Sequence, residues 1–111
     1  MEELLRQIVN AECEEYGRAS VKFGAVNNSD HESFAVLREE ADEAVDVMEE
    51  ADSFIDVFWA MVKCNEADEH KVEILKTIQR KAELAAAESI QAAAMARKAI
   101  ATIERRNSKQ S

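Results

Sequence analysis

The sequence has no proline and only two glycines in 111 residues. Ordinary chains carry ~5% and ~7% of these. Sandwiches and barrels need turn residues every ~8–12 positions, so an all-β fold is excluded. Aromatics are scarce as well, at 5%, so the core must be thin and built from aliphatic side chains and alanine. No stretch approaches ~18 consecutive apolar residues, and no membrane span or membrane partner is expected. The start, Met1-Glu2-Glu3-Leu4-Leu5, lacks the basic region and long apolar run of a signal peptide. Two lone cysteines, Cys13 and Cys64, fall in no CxxC or Cys/His spacing that suggests zinc. They read as reduced thiols of a cytoplasmic protein.

What is abundant is helix-forming. Alanine supplies 19 residues and glutamate 17. The length supports one domain over 1–111. The net charge is −9, divided unevenly. Residues 1–70 hold 19 acids and 5 bases, whereas 71–111 hold 4 acids and 9 bases. The first part repels nucleic acid phosphates, so direct nucleic-acid binding is not expected. It suits cations or a basic partner.

Two breaks divide the chain. Gly24 can adopt the left-handed conformation that ends a helix. Ser29, followed three positions later by Glu32, reads as a capping box for the next one. Near Cys64-Asn65-Glu66-Ala67-Asp68, either Asn65 or Asp68 can cap the N-terminus of a third helix. Helices are expected over about 2–22, 30–64 and 67–106, with a loose tail at 107–111.

In helix two, Phe34, Leu37, Ala41, Ala44, Met48, Ala51, Ile55, Phe58 and Val62 alternate by three and four. This is a packing seam of bundle or coiled-coil type. The apolar face widens toward the C-terminal end with Val57, Trp59 and Met61, which points to deeper burial there. Helix one offers Leu5, Val9, Cys13 and Tyr16 as a buried stripe, and Gly17 weakens its second half. Helix three is half alanine between Ala82 and Ala101, with bulk from residues such as Ile74, Leu75, Ile78, Leu84, Ile100 and Ile103. The fold class is therefore all-α: three long helices in an antiparallel bundle. So thin a core requires completion by oligomerisation, as a homodimer or larger.

Chemistry points to helix two, where eleven carboxylates and one lysine or arginine, Arg38, lie between Asp30 and Asp56. Glu40 and Glu43 are three apart and project from one side of the helix; Glu49 and Asp52 repeat that spacing. Two such pairs can hold Mg²⁺, a hard ion that takes oxygen ligands. With Phe34 set as heptad position a, Glu40 falls at g and Asp52 at e, flanking the seam. These two acids are expected to be partly buried. Glu39, Asp42, Asp46 and Glu49 point outward and, with Glu50, Asp52 and Asp56, compose an acidic interaction face.

The run Leu37-Arg38-Glu39-Glu40-Ala41-Asp42-Glu43-Ala44 resembles the first metal-binding helix of the all-α nucleotide pyrophosphohydrolases, the MazG-like family. That family carries E-x-x-E on one helix and E-x-x-D on a later one. The run from Glu88 to Ala96 resembles the second metal helix of small phage-type relatives. The resemblance implies Mg²⁺ held by Glu40, Glu43, Glu88 and Gln91. It implies Glu40 and Glu43 as catalytic residues, and hydrolysis of a nucleoside triphosphate to the monophosphate and pyrophosphate. Gln91 stands where the family has an acid and brings no charge. The 44 residues between Glu43 and Glu88 also exceed the usual gap. By this reading the chain is either a divergent pyrophosphohydrolase or a degenerate, non-catalytic relative.

Other groups carry less. His31 reads as a surface or capping residue, and His70 has Glu66 and Glu73 within a turn on either side. Arg97, Lys98, Arg105 and Arg106 form a basic patch suited to substrate phosphates or to another subunit's acids. Besides the hydrolase reading, two others stand. In one, the chain is an acidic helical binder that mimics nucleic acid and occupies the basic groove of a partner, as phage-encoded inhibitors of host defence do. In the other, it is an assembly protein that uses helix two as its seam.

Overall fold

The computed structural model describes residues 1–110 and is all-α, with no strand among them. Helix α1 covers Glu2–Phe23, α2 covers Asp30–Lys63 and α3 covers Asp68–Gln110. Helix α3 continues through most of the expected loose tail, since nothing at residues 107–110 breaks it and Lys109 suits a helix C-terminus. Ser111, the rest of that tail, lies outside the described residues. Helix α1 is likewise unbroken across Gly17.

Both links are built from local hydrogen bonds. Gly24 has φ 94° and its N–H donates to the Ser20 carbonyl, closing α1. Ser29 Oγ then accepts from the Glu32 N–H at 3.1 Å, the N-cap that the spacing predicts. At the second link Asn65 does not start α3; it ends α2. It has φ 53°, its N–H donates to Val62 O, and the Glu66 N–H donates to Met61 O at 2.9 Å. This is a Schellman motif, with asparagine in the left-handed position that glycine usually takes. Glu66 turns the other way. Its Oε1 accepts from the Ala67 N–H and pairs with His70 Nδ1 at 2.8 Å, so this acid and histidine cap the start of α3.

Contacts gather the chain into two compact units. The first comprises Met1–Ala41 together with the chain from Glu88 onward, and the second is Asp42–Ala87. In the first, the α1–α2 link is stitched to α3. The Asn27 N–H donates to Thr102 Oγ1 and its Nδ2 to Ser33 Oγ, each at 2.8 Å, and all three residues are buried. Asp30 pairs with Arg106 at 3.2 Å. Glu12, buried on α1, is held by the Arg97 guanidinium through both oxygens. In the second unit the end of α2 and the start of α3 form an antiparallel hairpin, with Glu50 and Lys81 paired at 2.7 Å.

The seams differ in phase from the sequence expectation. On α2 the covered positions are Glu32, Val36 and Ala41 together with Ser33, Leu37, Glu40, Ala44, Val47, Ala51, Phe54, Phe58 and Met61, the last nine spaced by four and three. Those nine are the d and g positions of the frame set by Phe34, so the expected d residues Leu37, Ala44, Ala51 and Phe58 are covered, as is Ala41 at an a position. The a positions Phe34, Met48, Ile55 and Val62 are exposed, as are Val57 and Trp59 at the end expected to be deepest. One neighbour covers one stripe of a helix, and the sequence offered two. On α1 the covered residues are Ala11, Glu12, Glu15, Tyr16, Ala19 and Ser20, while Leu5, Val9 and Cys13 are exposed. The ion pair to Arg97 turns the polar side of α1 inward. On α3, Leu75, Leu84, Ile100 and Ile103 are exposed too. No helix among the described residues is long and apolar enough to cross a membrane.

Candidate metal centre

Two carboxylates interrupt otherwise mostly apolar or small seams. Glu40 on α2 and Glu88 on α3 both occupy covered positions, and both are half-buried. Glu43 follows one turn after Glu40 on the same unbroken helix and is exposed. One oxygen from each of these three residues lies within 4.8 Å of the others. Sequence spacing alone put Glu40 beside Glu43; the fold brings Glu88 to them.

Such a group is costly without positive charge. Two ionised carboxylates no more than 4.8 Å apart would repel by roughly 3 kcal/mol or more at an effective dielectric of ~20. Glu88 Oε2 adds a second cost, because it is buried and has no hydrogen-bond partner among the described residues. A cation answers both. Oxygens about octahedral Mg²⁺ stand ~2.9 Å apart when adjacent and ~4.2 Å when opposite. The three oxygens, each within 4.8 Å of the others, would close to that spacing around the ion. The donor set is all-oxygen, which suits a hard ion and not zinc.

A cavity of about 520 Å³ adjoins Glu40 in the first unit. Its polar wall is made by Glu15 and Glu32 beside Glu40, with Gln91, Asn27 and Lys98, and its apolar wall by Phe23, Val36 and Met95. Lys98 is 7% exposed and makes no ion pair among the described residues. Gln91, where the resemblance implies a fourth metal ligand, borders this cavity together with Glu40. Asn27 and Lys98 were not legible as wall residues, since each comes from a segment far from Glu40 in sequence.

The remaining candidates disperse. Glu39, Asp42, Asp46, Glu49, Glu50, Asp52 and Asp56 are all exposed. Asp52 is thus not partly buried as its e position suggested, because the covered stripe is d and g. Glu49 and Asp52 join no group of three acids or other ligands among the described residues. The basic patch is divided: Arg97 holds Glu12, Arg106 holds Asp30, and Lys98 enters the cavity wall. Arg105 lines a separate shallow cleft beside Asn28 and Ser29. The Arg97 guanidinium is held above its ordinary range, first by its hydrogen bond to Glu12 and then by that carboxylate's charge. Glu66 is held below the usual carboxylate range, first by the hydrogen bond from His70 and then by the Ala67 N–H. His31 is exposed, and both cysteines are free and exposed. No family model matches this chain, and neither does any curated protein or solved structure.

Proposed function

We propose that the Glu40–Glu43–Glu88 group holds Mg²⁺ and that the adjoining cavity takes a nucleoside triphosphate, which the chain hydrolyses to monophosphate and pyrophosphate in the manner of the MazG-like enzymes. The supporting observation is the convergence of three acids from two helices around a buried carboxylate oxygen without a partner. Mg²⁺ bound there supplies neutralisation of phosphate oxygens and acidification of a water molecule. The chain's own residues do the rest. Lys98 donates to a phosphate oxygen from a position where water competes little. Asn27 offers its amide oxygen to the sugar or base, and Val36 and Met95 exclude water from one of its faces. A volume near 520 Å³ falls within the ~300–1,000 Å³ of ligand pockets. Gln91 lowers the charge of the ligand set, which fits a weakly active relative better than a fast enzyme.

The test is pyrophosphate release across the common nucleoside triphosphates, with and without Mg²⁺, for the wild type and Glu40→Gln. Mg²⁺-dependent release lost in the variant supports the reading. Release that is absent with every nucleotide, together with unaltered melting in Mg²⁺, defeats it.

A second reading keeps one observation of its own. Eight acids between Glu39 and Asp56 stand exposed on α2, a density of one sign that suits a basic protein groove. On this reading the chain is an acidic inhibitor without turnover. Its complex would weaken steeply with salt while the metal group stayed irrelevant to it.

A further inference from the structure

The hairpin of Asp42–Ala87 leaves one apolar side uncovered. On α2, Met48, Ile55, Trp59 and Val62 are 41–56% exposed, and on α3 Val72 and Leu75 are 44–47% exposed. At 100° per residue, the α2 stripe is turned about 90° from the seam Ala44–Val47–Ala51–Phe54–Phe58–Met61. The α3 stripe, extended by exposed Ala82 and Ala86, is turned about as far from its own seam and in the same rotational sense. In an antiparallel pair, equal senses place both stripes on one side of the hairpin. The Glu50–Lys81 pair agrees, since both residues are turned the opposite way and they meet.

We propose that a second copy of this chain covers this side, hairpin against hairpin, completing a four-helix bundle. Three observations select that occupant. On α2 the stripe holds the a positions Met48, Ile55 and Val62 and the e position Trp59 of the same heptad whose d and g positions already pack in the hairpin, so this helix is patterned for two neighbours at about right angles, as bundle helices are. The exposed side chains offer on the order of 600 Å² per copy, roughly 1,200 Å² across two, at the lower edge of specific interfaces. Charge sets the arrangement. Residues 42–63 hold seven acids and one base, while 68–87 hold four of each. Stacking α2 on the second copy's α2 opposes like charge, whereas α2 over α3 does not. The twofold axis therefore runs along the helices. The register fixed by Glu50 and Lys81 then brings Asp52 of one copy level with Gln79 of the other.

Sedimentation equilibrium of the full chain from about 1 to 100 μM tests this. The wild type is expected at twice 12.4 kDa. Ile55→Lys and Leu75→Lys are each expected to weaken association at least tenfold, with helicity by circular dichroism retained because both positions are exposed in the single chain. Leu5→Lys on α1 is expected to leave the dimer intact. Gln79→Lys should associate several-fold more tightly than Gln79→Glu. A wild-type monomer throughout overturns the proposal. So does a dimer that survives Ile55→Lys and Leu75→Lys, or one lost in Leu5→Lys instead. Association of Gln79→Lys no tighter than that of Gln79→Glu overturns the α2-over-α3 arrangement and the proposal with it.

Discussion

Glu12 and Arg97 stand 85 positions apart in the chain, and the guanidinium grips both oxygens of the carboxylate, one at 2.9 Å. Glu12 is 8% exposed, so it depends on that grip. Arg97→Met strands a buried negative charge; adding Glu12→Met removes it. The single variant is expected to melt lower than the double, by about 5 °C or more, because an unpaired buried charge costs more than an apolar replacement of the pair. Thermal melts of the three proteins check this. A double variant as unstable as the single would show that packing, not charge, is what Arg97 supplies.

Glu88→Gln should behave oppositely in the absence and presence of Mg²⁺. Without metal, it removes one repelling charge and is expected to raise stability by roughly 1 kcal/mol. With saturating Mg²⁺, the wild type should gain about 2.7 kcal/mol at a hundredfold excess over its dissociation constant, and the variant much less. Calorimetry with NaCl at matched ionic strength as control separates binding from screening.

Gly17 lies on α1 in open space, with nothing within 4 Å of an added Cβ. Gly17→Ala should stabilise the protein by about 0.5–1 kcal/mol, chiefly by restricting the unfolded chain. Urea denaturation reads this directly, and a loss of stability would mean that α1 needs the flexibility.

Asn65 holds its left-handed conformation at the end of α2. Asn65→Gly is expected to be neutral or stabilising, and Asn65→Val to cost about 1–2 kcal/mol, because a β-branched side chain resists positive φ. Equal stability of the two would indicate that the link adopts another turn in solution.

The Glu66–His70 cap gives a pH dependence of known sign. The folded carboxyl lies below its ordinary value of 4.5, so its contribution is present above that value and lost as pH falls through the lowered one. Glu66→Gln should therefore narrow the stability difference between pH 6 and pH 3. Because Glu66 is open to solvent, the change is small, and backbone amide exchange at residues 67–71 is the sensitive readout.

Much of the fold was legible because its signals are local. Missing proline, Gly24 and the Ser29–Glu32 spacing place three helices within a few residues of their observed ends. The phase of the α2 seam was not, because Met48, Ile55 and Val62 are as apolar as Val47, Phe54 and Met61, and periodicity cannot say which stripe the chain covers itself. The site divides the same way. Glu40 and Glu43 follow from helix geometry, and the place of Glu88 came from a motif likeness. Asn27, Lys98 and the Glu12–Arg97 pair depend on how distant segments meet, for which spacing holds no signal. Of the two cap candidates, Asn65 and Asp68, spacing cannot choose, since asparagine suits both an N-cap and a left-handed C-terminal position, and Asn65 takes the latter.

The first unit is assembled from two stretches of chain, one ending at Ala41 and the other beginning at Glu88. On a ribosome, the Asn27–Thr102 hydrogen bond cannot form until Thr102 has emerged. The Asp42–Ala87 hairpin has its contacts complete well before then and needs only a short loop closed. Synthesis thus imposes an order: the hairpin zips first, while α1 waits without the docking surface that buries Glu12. A pulse-labelled amide-exchange experiment during refolding should protect residues 44–61 and 71–85 ahead of 11–20, and a chain stalled short of Thr102 should leave α1 open to protease.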